Sequence, residues 1–88
     1  MEVKYSKPFE KDLKSLSDKS IILRVDEIIS EIAASSSLRG IKGIKQLKGH
    51  TNCYRIRIGN YRLGLLLHGN VVWLAKIMHR KEIYRYFP

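Results

Sequence analysis

Between residue 37 and residue 88 this 88-residue chain has a single acidic side chain, Glu82. Eleven lysines and arginines share that stretch, whereas residues 1 to 36 carry six basic and seven acidic residues. The two parts therefore hold net charges of +10 and −1. Unrelieved self-repulsion destabilises a compact chain, and a surface tuned only for solubility intersperses the two signs. The asymmetry implies a polyanionic partner such as nucleic acid.

Other shortages narrow the class further. The lone Cys53 excludes an intramolecular disulfide and a cysteine metal pair, and it suits a reducing compartment, expected to be the cytoplasm, as a small buried hydrophobe. No apolar run approaches the roughly 18 residues of a membrane span, and Met1 to Lys7 lacks the apolar stretch of a secretion signal. A soluble, unexported protein with no membrane partner is expected. The basic residues also lie mainly outside the helical stretches, which argues against a basic amphipathic helix on anionic lipid. No repeat or linker is visible, and 44% hydrophobic composition suits one small domain over residues 1–88.

Val3 and Tyr5 alternate with polar neighbours as a short opening strand, and Ser6 can cap a helix whose first turn tolerates Pro8. Phe9, Leu13 and Leu16 recur at helical spacing. A longer stripe of Ile21, Val25, Ile28, Ile29 and Ile32 is entered through Ser17 and Asp18. The two predict an antiparallel helix pair that covers a sheet and carries no chemistry. Ser35 to Ser37 with Gly40, Gly43 and Gly49 mark a connecting loop, which bears Arg39, Lys42, Lys45 and Lys48. Cys53–Ile58, Tyr61–Leu67 and Val71–Met78 read as a three-stranded antiparallel meander, joined at Gly59-Asn60 and Gly69-Asn70. Helical spacing returns from Arg80 to Phe87, with Ile83 and Phe87 on one side and Arg80 and Tyr84 on the next. The fold class is α+β.

The Gly59-Asn60 turn sets the hairpin register: Ile58 opposes Tyr61, Arg57 opposes Arg62, and Arg55 opposes Gly64. Like charges directly opposed are destabilising, and no carboxylate lies in sequence between Glu31 and Glu82 to relieve them. One strand arginine is ordinary on a solvated sheet. Three on one small face, framed by a basic loop, point to an arriving anion that supplies the missing countercharge. The alternate residues Tyr54, Ile56, Ile58, Tyr61, Leu63 and Leu65 must then lie against the helices. His50, His68 and His79 are too scattered for a metal site, and no cofactor is expected.

With these residues in place, the chain closely resembles the RelE/ParE superfamily of type II toxins. The likeness rests on Leu47-Lys48-Gly49, on Tyr54-Arg55-Ile56-Arg57-Ile58-Gly59-Asn60-Tyr61-Arg62-Leu63, and on His79-Arg80-Lys81-Glu82-Ile83-Tyr84, in the order strand, two helices, meander. The resemblance implies the RelE-like, microbial-ribonuclease type of fold. Its RelE-like branch implies a ribosome-dependent messenger RNA endonuclease, which needs no metal and sets the 2′-hydroxyl against the adjacent phosphate. Arg55 and Arg57 then stand where that branch has strand lysines. Arg62 matches its transition-state arginine, Arg80 a second arginine, and Tyr84 the tyrosine that stacks on the nucleotide. Lys42, Lys45, Lys48, His79 and Lys81 form the surrounding RNA-binding rim.

An arginine is always charged and accepts protons poorly. The acceptor role therefore falls to His79, to a nearby lysine such as Lys48, or to positioning and charge stabilisation alone. The implied partners are a cognate antitoxin, the ribosome and messenger RNA, with operator DNA only as a toxin–antitoxin complex. The alternative within the superfamily is a ParE-like, non-catalytic inhibitor of DNA gyrase.

Overall fold

Ser6 is where the chain leaves its first strand. Its backbone is extended, and its Oγ accepts from the Phe9 amide at 3.1 Å, satisfying an orphan donor of the helix that follows. The computed structural model describes all 88 residues. Strand β1 (Glu2–Tyr5) leads into α1 (Lys7–Ser15), and Asp18 caps α2 (Lys19–Ala34). Then come β2 (Ile44–Gln46), β3 (Cys53–Ile58), β4 (Tyr61–His68), β5 (Val71–His79) and the single-turn α3 (Ile83–Tyr86).

The strands form one sheet in the order β1-β5-β4-β3-β2. The expected meander is its centre, with β1 added parallel to β5. Two expectations need correction. The segment read as a plain loop contains β2, which pairs antiparallel with β3. Gly43 makes this possible: at φ +80° it lies so close to β3 that a Cβ would sit 3.2 Å from the Arg57 carbonyl oxygen. The closing helix is also shorter than its spacing suggests, because Arg80 to Glu82 form a turn bound back to His79.

The hairpin register agrees with that read from the turn: Ile58 opposite Tyr61, Arg57 opposite Arg62, Arg55 opposite Gly64. The β4–β5 ladder slips at Gly64/Leu65, where Gly64 pairs with Lys76 but Leu65 pairs with Leu74. Ala75 is the extra residue of a β-bulge. Its carbonyl accepts from Ser6 Oγ at 3.0 Å. Beyond the end of β1, Asp12 of α1 accepts from the Ile77 amide at 3.1 Å and holds Lys76 at 3.2 Å, so the edge of β5 is closed by a helix and an acid.

The core lies between the helices and one side of the sheet. Phe9, Val25, Ile28 and Ile32 meet Ile56, Ile58, Leu63, Leu65, Val72, Leu74 and Ile77 there, all buried. Burial of each large aliphatic side chain contributes about 1.5–3 kcal/mol. The opposite side, which carries the arginines, has a smaller cluster at one end. There Cys53, Ile83 and Phe87 are buried with help from Leu47, Leu66, Ala75 and Met78.

Candidate nucleic-acid site

Gly64 positions the site although it carries no side chain. A Cβ built on it would lie 2.7 Å from the Phe87 ring, so only glycine lets Phe87 seat directly on the sheet. With Ile83 buried beside it, this contact lays the C-terminal segment across the open side of the sheet, next to Arg55 and Arg62. The Arg80 amide donates to the Asn60 carbonyl at 2.8 Å, tying the segment's start to the β3–β4 turn. Tyr84 remains exposed.

Arg62 is the centre of the cluster. Burial, and then the charge of Arg55 with Arg57 and Arg80 behind it, hold its guanidinium below the ordinary arginine range, while Tyr84 acts in the opposite sense. These groups are therefore close enough to feel one another. Arg62 Nη1 donates to the Gly59 and Tyr61 carbonyls at 2.9 Å each, which aims it along the turn. Arg55 is less well satisfied. Its Nη1 reaches the Gly43 carbonyl at 3.4 Å, and its Nε is buried with no partner. None of Arg55, Arg57, Arg62 and Arg80 is in an ion pair; the four salt bridges of the chain lie elsewhere. A concentration of donors with no countercharge suits a group with several acceptor oxygens, such as a phosphate.

The remaining residues singled out in the sequence divide between several places. Lys45 pairs with Arg55 across β2–β3 and so projects on the arginine side. Lys48 is in the turn after β2 and lines a recess with Gly49, His50 and Thr51. Lys42 shares a cavity of about 370 Å³ with Arg24 of α2, Gly43, Arg57 and Gly59, at the outer end of β3. Lys81 is exposed in the turn after β5. His79 lies on the helix side. It opposes Tyr61 in the ladder, their rings meet edge to face at 5.7 Å, and its Nδ1 accepts from the Lys81 amide at 3.2 Å.

Sequence reasoning missed the sheet position of Lys45 and the Gly64–Phe87 seat. The first had no usable signal, because a three-residue strand shows no alternation. The second had a trace: Gly64 interrupts an otherwise apolar run, a common mark of close backbone approach. Cys53 is an inert member of the small cluster, since burial pushes its thiol up and away from the reactive thiolate.

The fold and this face define a small α+β protein with an open, uncompensated cationic sheet surface. A family model described as the ParE toxin of the type II toxin–antitoxin system parDE matches residues 3–84. Toxin RelE3 of Methanocaldococcus jannaschii is 45% identical over 89 residues, across 100% of both chains. The RelB–RelE antitoxin–toxin complex from Methanococcus jannaschii contains a chain that superposes with a TM-score of 0.83 at 42% identity, covering 97% of this chain and 99% of that one. The archaeal RelE–RelB complex from Pyrococcus horikoshii OT3 gives 0.73 at 26% identity, over 90% and 93%. The chain belongs to the RelE/ParE superfamily of type II toxin–antitoxin toxins, and its similarity to RelE relatives marks it as a RelE-type toxin.

Proposed function

We propose that this toxin is a ribosome-dependent messenger RNA endonuclease. The observation that carries the reading is the placement of Arg55, Arg57 and Arg62 on one side of the β3–β4 hairpin, with the segment bearing Arg80 and Tyr84 laid across that side and no ion pair to any of the four arginines. In-line attack of a 2′-hydroxyl on the adjacent phosphorus forms the 2′-O–P bond and breaks the P–O5′ bond. The products are a 2′,3′-cyclic phosphate and a 5′-hydroxyl. Such a reaction needs geometry and cations more than covalent help, since charge accumulates on the non-bridging oxygens in the transition state. Arg62 and Arg55 meet that charge, Arg57 and Arg80 hold the flanking phosphates, and the exposed Tyr84 ring stacks on a base. Lys42, Lys48 and Lys81 frame the approach.

The physiological partner that silences the site is a cognate antitoxin; the relatives from Methanococcus jannaschii and Pyrococcus horikoshii were each found in such a complex. Mapping RNA ends after brief induction in cells tests the reading. Cuts within translated codons are expected. Intact messages with supercoil-altered or broken DNA would favour the second reading, a gyrase inhibitor, which has in its support the ParE description of the matching family model.

A further inference from the structure

Cleavage through a 2′-hydroxyl needs an acceptor for its proton, and the four clustered arginines cannot serve. We propose that Lys45 is that acceptor. The proposal rests on the reading of this site as a ribonuclease and names a catalytic residue within it.

Lys45 is the Cα partner of Arg55, and Arg55 is the partner of Gly64, so the three form one row across β2, β3 and β4 on the open side. Directly opposed side chains have Cβ atoms roughly 4.5–5.5 Å apart, which puts the Lys45 stem against that of Arg55. Backbone bonds secure the strand at both ends: Leu47 N to Cys53 O at 2.8 Å and Arg57 N to Gly43 O at 3.1 Å. Lys45 is therefore held on the sheet rather than carried by a loose loop. Its amine takes part in no side-chain hydrogen bond or ion pair. A group on a fixed strand, unpaired and beside the phosphate-binding arginines, is free to meet a substrate hydroxyl.

The other acceptors lie elsewhere or are engaged. His79 is on the helix side with its ring against Tyr61 and its Nδ1 occupied. Lys48 and His50 belong to the β2–β3 turn, beyond Cys53 and away from Arg57 and Arg62. Lys42 keeps company with Arg24 of α2. Lys76 is bound to Asp12 at the far edge of the sheet. Glu82 lines the recess with Asp12, Tyr61 and His79, Lys81 is exposed in the turn after β5, and the Tyr86 ring sits over Lys76. The Tyr84 phenol shares the open side, and one arm of the test addresses it. In the step itself, the neutral Lys45 Nζ takes the 2′-hydroxyl proton as the 2′-O–P bond forms. The 5′-oxygen departs from phosphorus and takes a proton from water.

The test is single-turnover cleavage of a short messenger RNA on programmed ribosomes, across a range of pH, with ribosome binding followed by sedimentation and folding by thermal melts. For the wild type the logarithm of the rate should rise with pH, because only the neutral amine accepts. Lys45→Arg keeps the charge but not the acceptor. It should bind ribosomes and melt as the wild type does, while cleavage falls about 10²- to 10⁴-fold and loses its rise with pH. Tyr84→Phe should keep the rise. A Lys45→Arg protein within threefold of wild type with the same profile would overturn the proposal, as would loss of the rise in Tyr84→Phe. Wild-type protein that cuts no RNA on ribosomes would instead remove the ribonuclease reading beneath it, a result that cannot be confused with an active Lys45→Arg variant.

Discussion

The two sides of the sheet obey different rules although they are built from alternate residues of the same strands. On the helix side, Ile56, Ile58, Leu63 and Leu65 are buried against Val25, Ile28 and Ile32, and every neighbour helps the next. On the open side, Arg55, Arg57 and Arg62 repel one another and Arg80, with no acid to offset them. Stability is concentrated on one side and unsatisfied charge on the other, separated by the thickness of a backbone. Local conflict of this kind is tolerated where a ligand resolves it.

The sharpest way to break that contrast is a pair of substitutions on adjacent residues of β4. Arg62→Ala should lower single-turnover cleavage on ribosomes by about 10²- to 10³-fold, the loss typical of a transition-state donor. Its melting temperature should stay close to wild type, because water replaces it on two turn carbonyls and the repulsion is relieved. Leu63→Ala, one residue on, should cost about 2–5 kcal/mol of stability in denaturant titrations. Cleavage per folded molecule should be kept. If Arg62→Ala unfolds the protein while Leu63→Ala spares stability, the division of labour is wrong.

Gly64→Ala tests the seam between the two sides. Its Cβ would enter the Phe87 ring, and relieving that clash should cost about 1–3 kcal/mol or expel the C-terminal segment. Cleavage should then fall with the sheet still intact by circular dichroism, and Phe87→Ala should mimic the loss. Equal activity in all three proteins would show that the segment does not position the site.

The smallest effect is expected far from the site, at the cap of α2. Hydrogen bonds from the Ser20 hydroxyl and then the Ile21 and Ser20 amides hold the Asp18 carboxyl below the usual carboxylate range. A depressed acid stabilises the fold above its unfolded value of about 3.9, and that contribution fades as pH falls through the folded value. Asp18→Ala should therefore melt slightly earlier than wild type at neutral pH, and the gap should close in strong acid. A gap that persists there would assign the effect to packing.

Much of this contrast can be read in the amino-acid order, and the rest is hidden for physical reasons. A two-residue turn leaves one hairpin register, so the opposition of Arg57 and Arg62 follows from Gly59-Asn60. The helix stripes are legible because burial repeats every three or four residues. Strand β2 is not, since Ile44 is half-buried and Lys45 and Gln46 are exposed, leaving nothing to alternate. The parallel pairing of β1 with β5 spans most of the chain and has no local mark. Helical spacing would put Arg80 and Tyr84 on one side of the last segment, but Arg80 lies in the turn before α3; what places them near Arg62 is the bond from the Arg80 amide to Asn60 and the seat of Phe87, contacts between distant residues.

The side on which His79 lies was equally out of reach, and the reason is Ala75. If Ala75 took an ordinary place in the ladder, β5 would run in strict two-residue phase, and the inward set would continue from Val72 and Leu74 to Lys76 and Met78. The bulge shifts that phase by one, so that Ile77 enters the core, Met78 stands opposite Arg62, and Lys76 is released to Asp12 at the rim. It acts on the strand as a frameshift acts on a message: everything downstream is read on the other side. Straightening the bulge with Ala75 kept in the ladder would drive an ammonium into the core and an isoleucine among the arginines, whereas deleting Ala75 would leave Lys76 opposite Gly64 and Ile77 opposite Leu63.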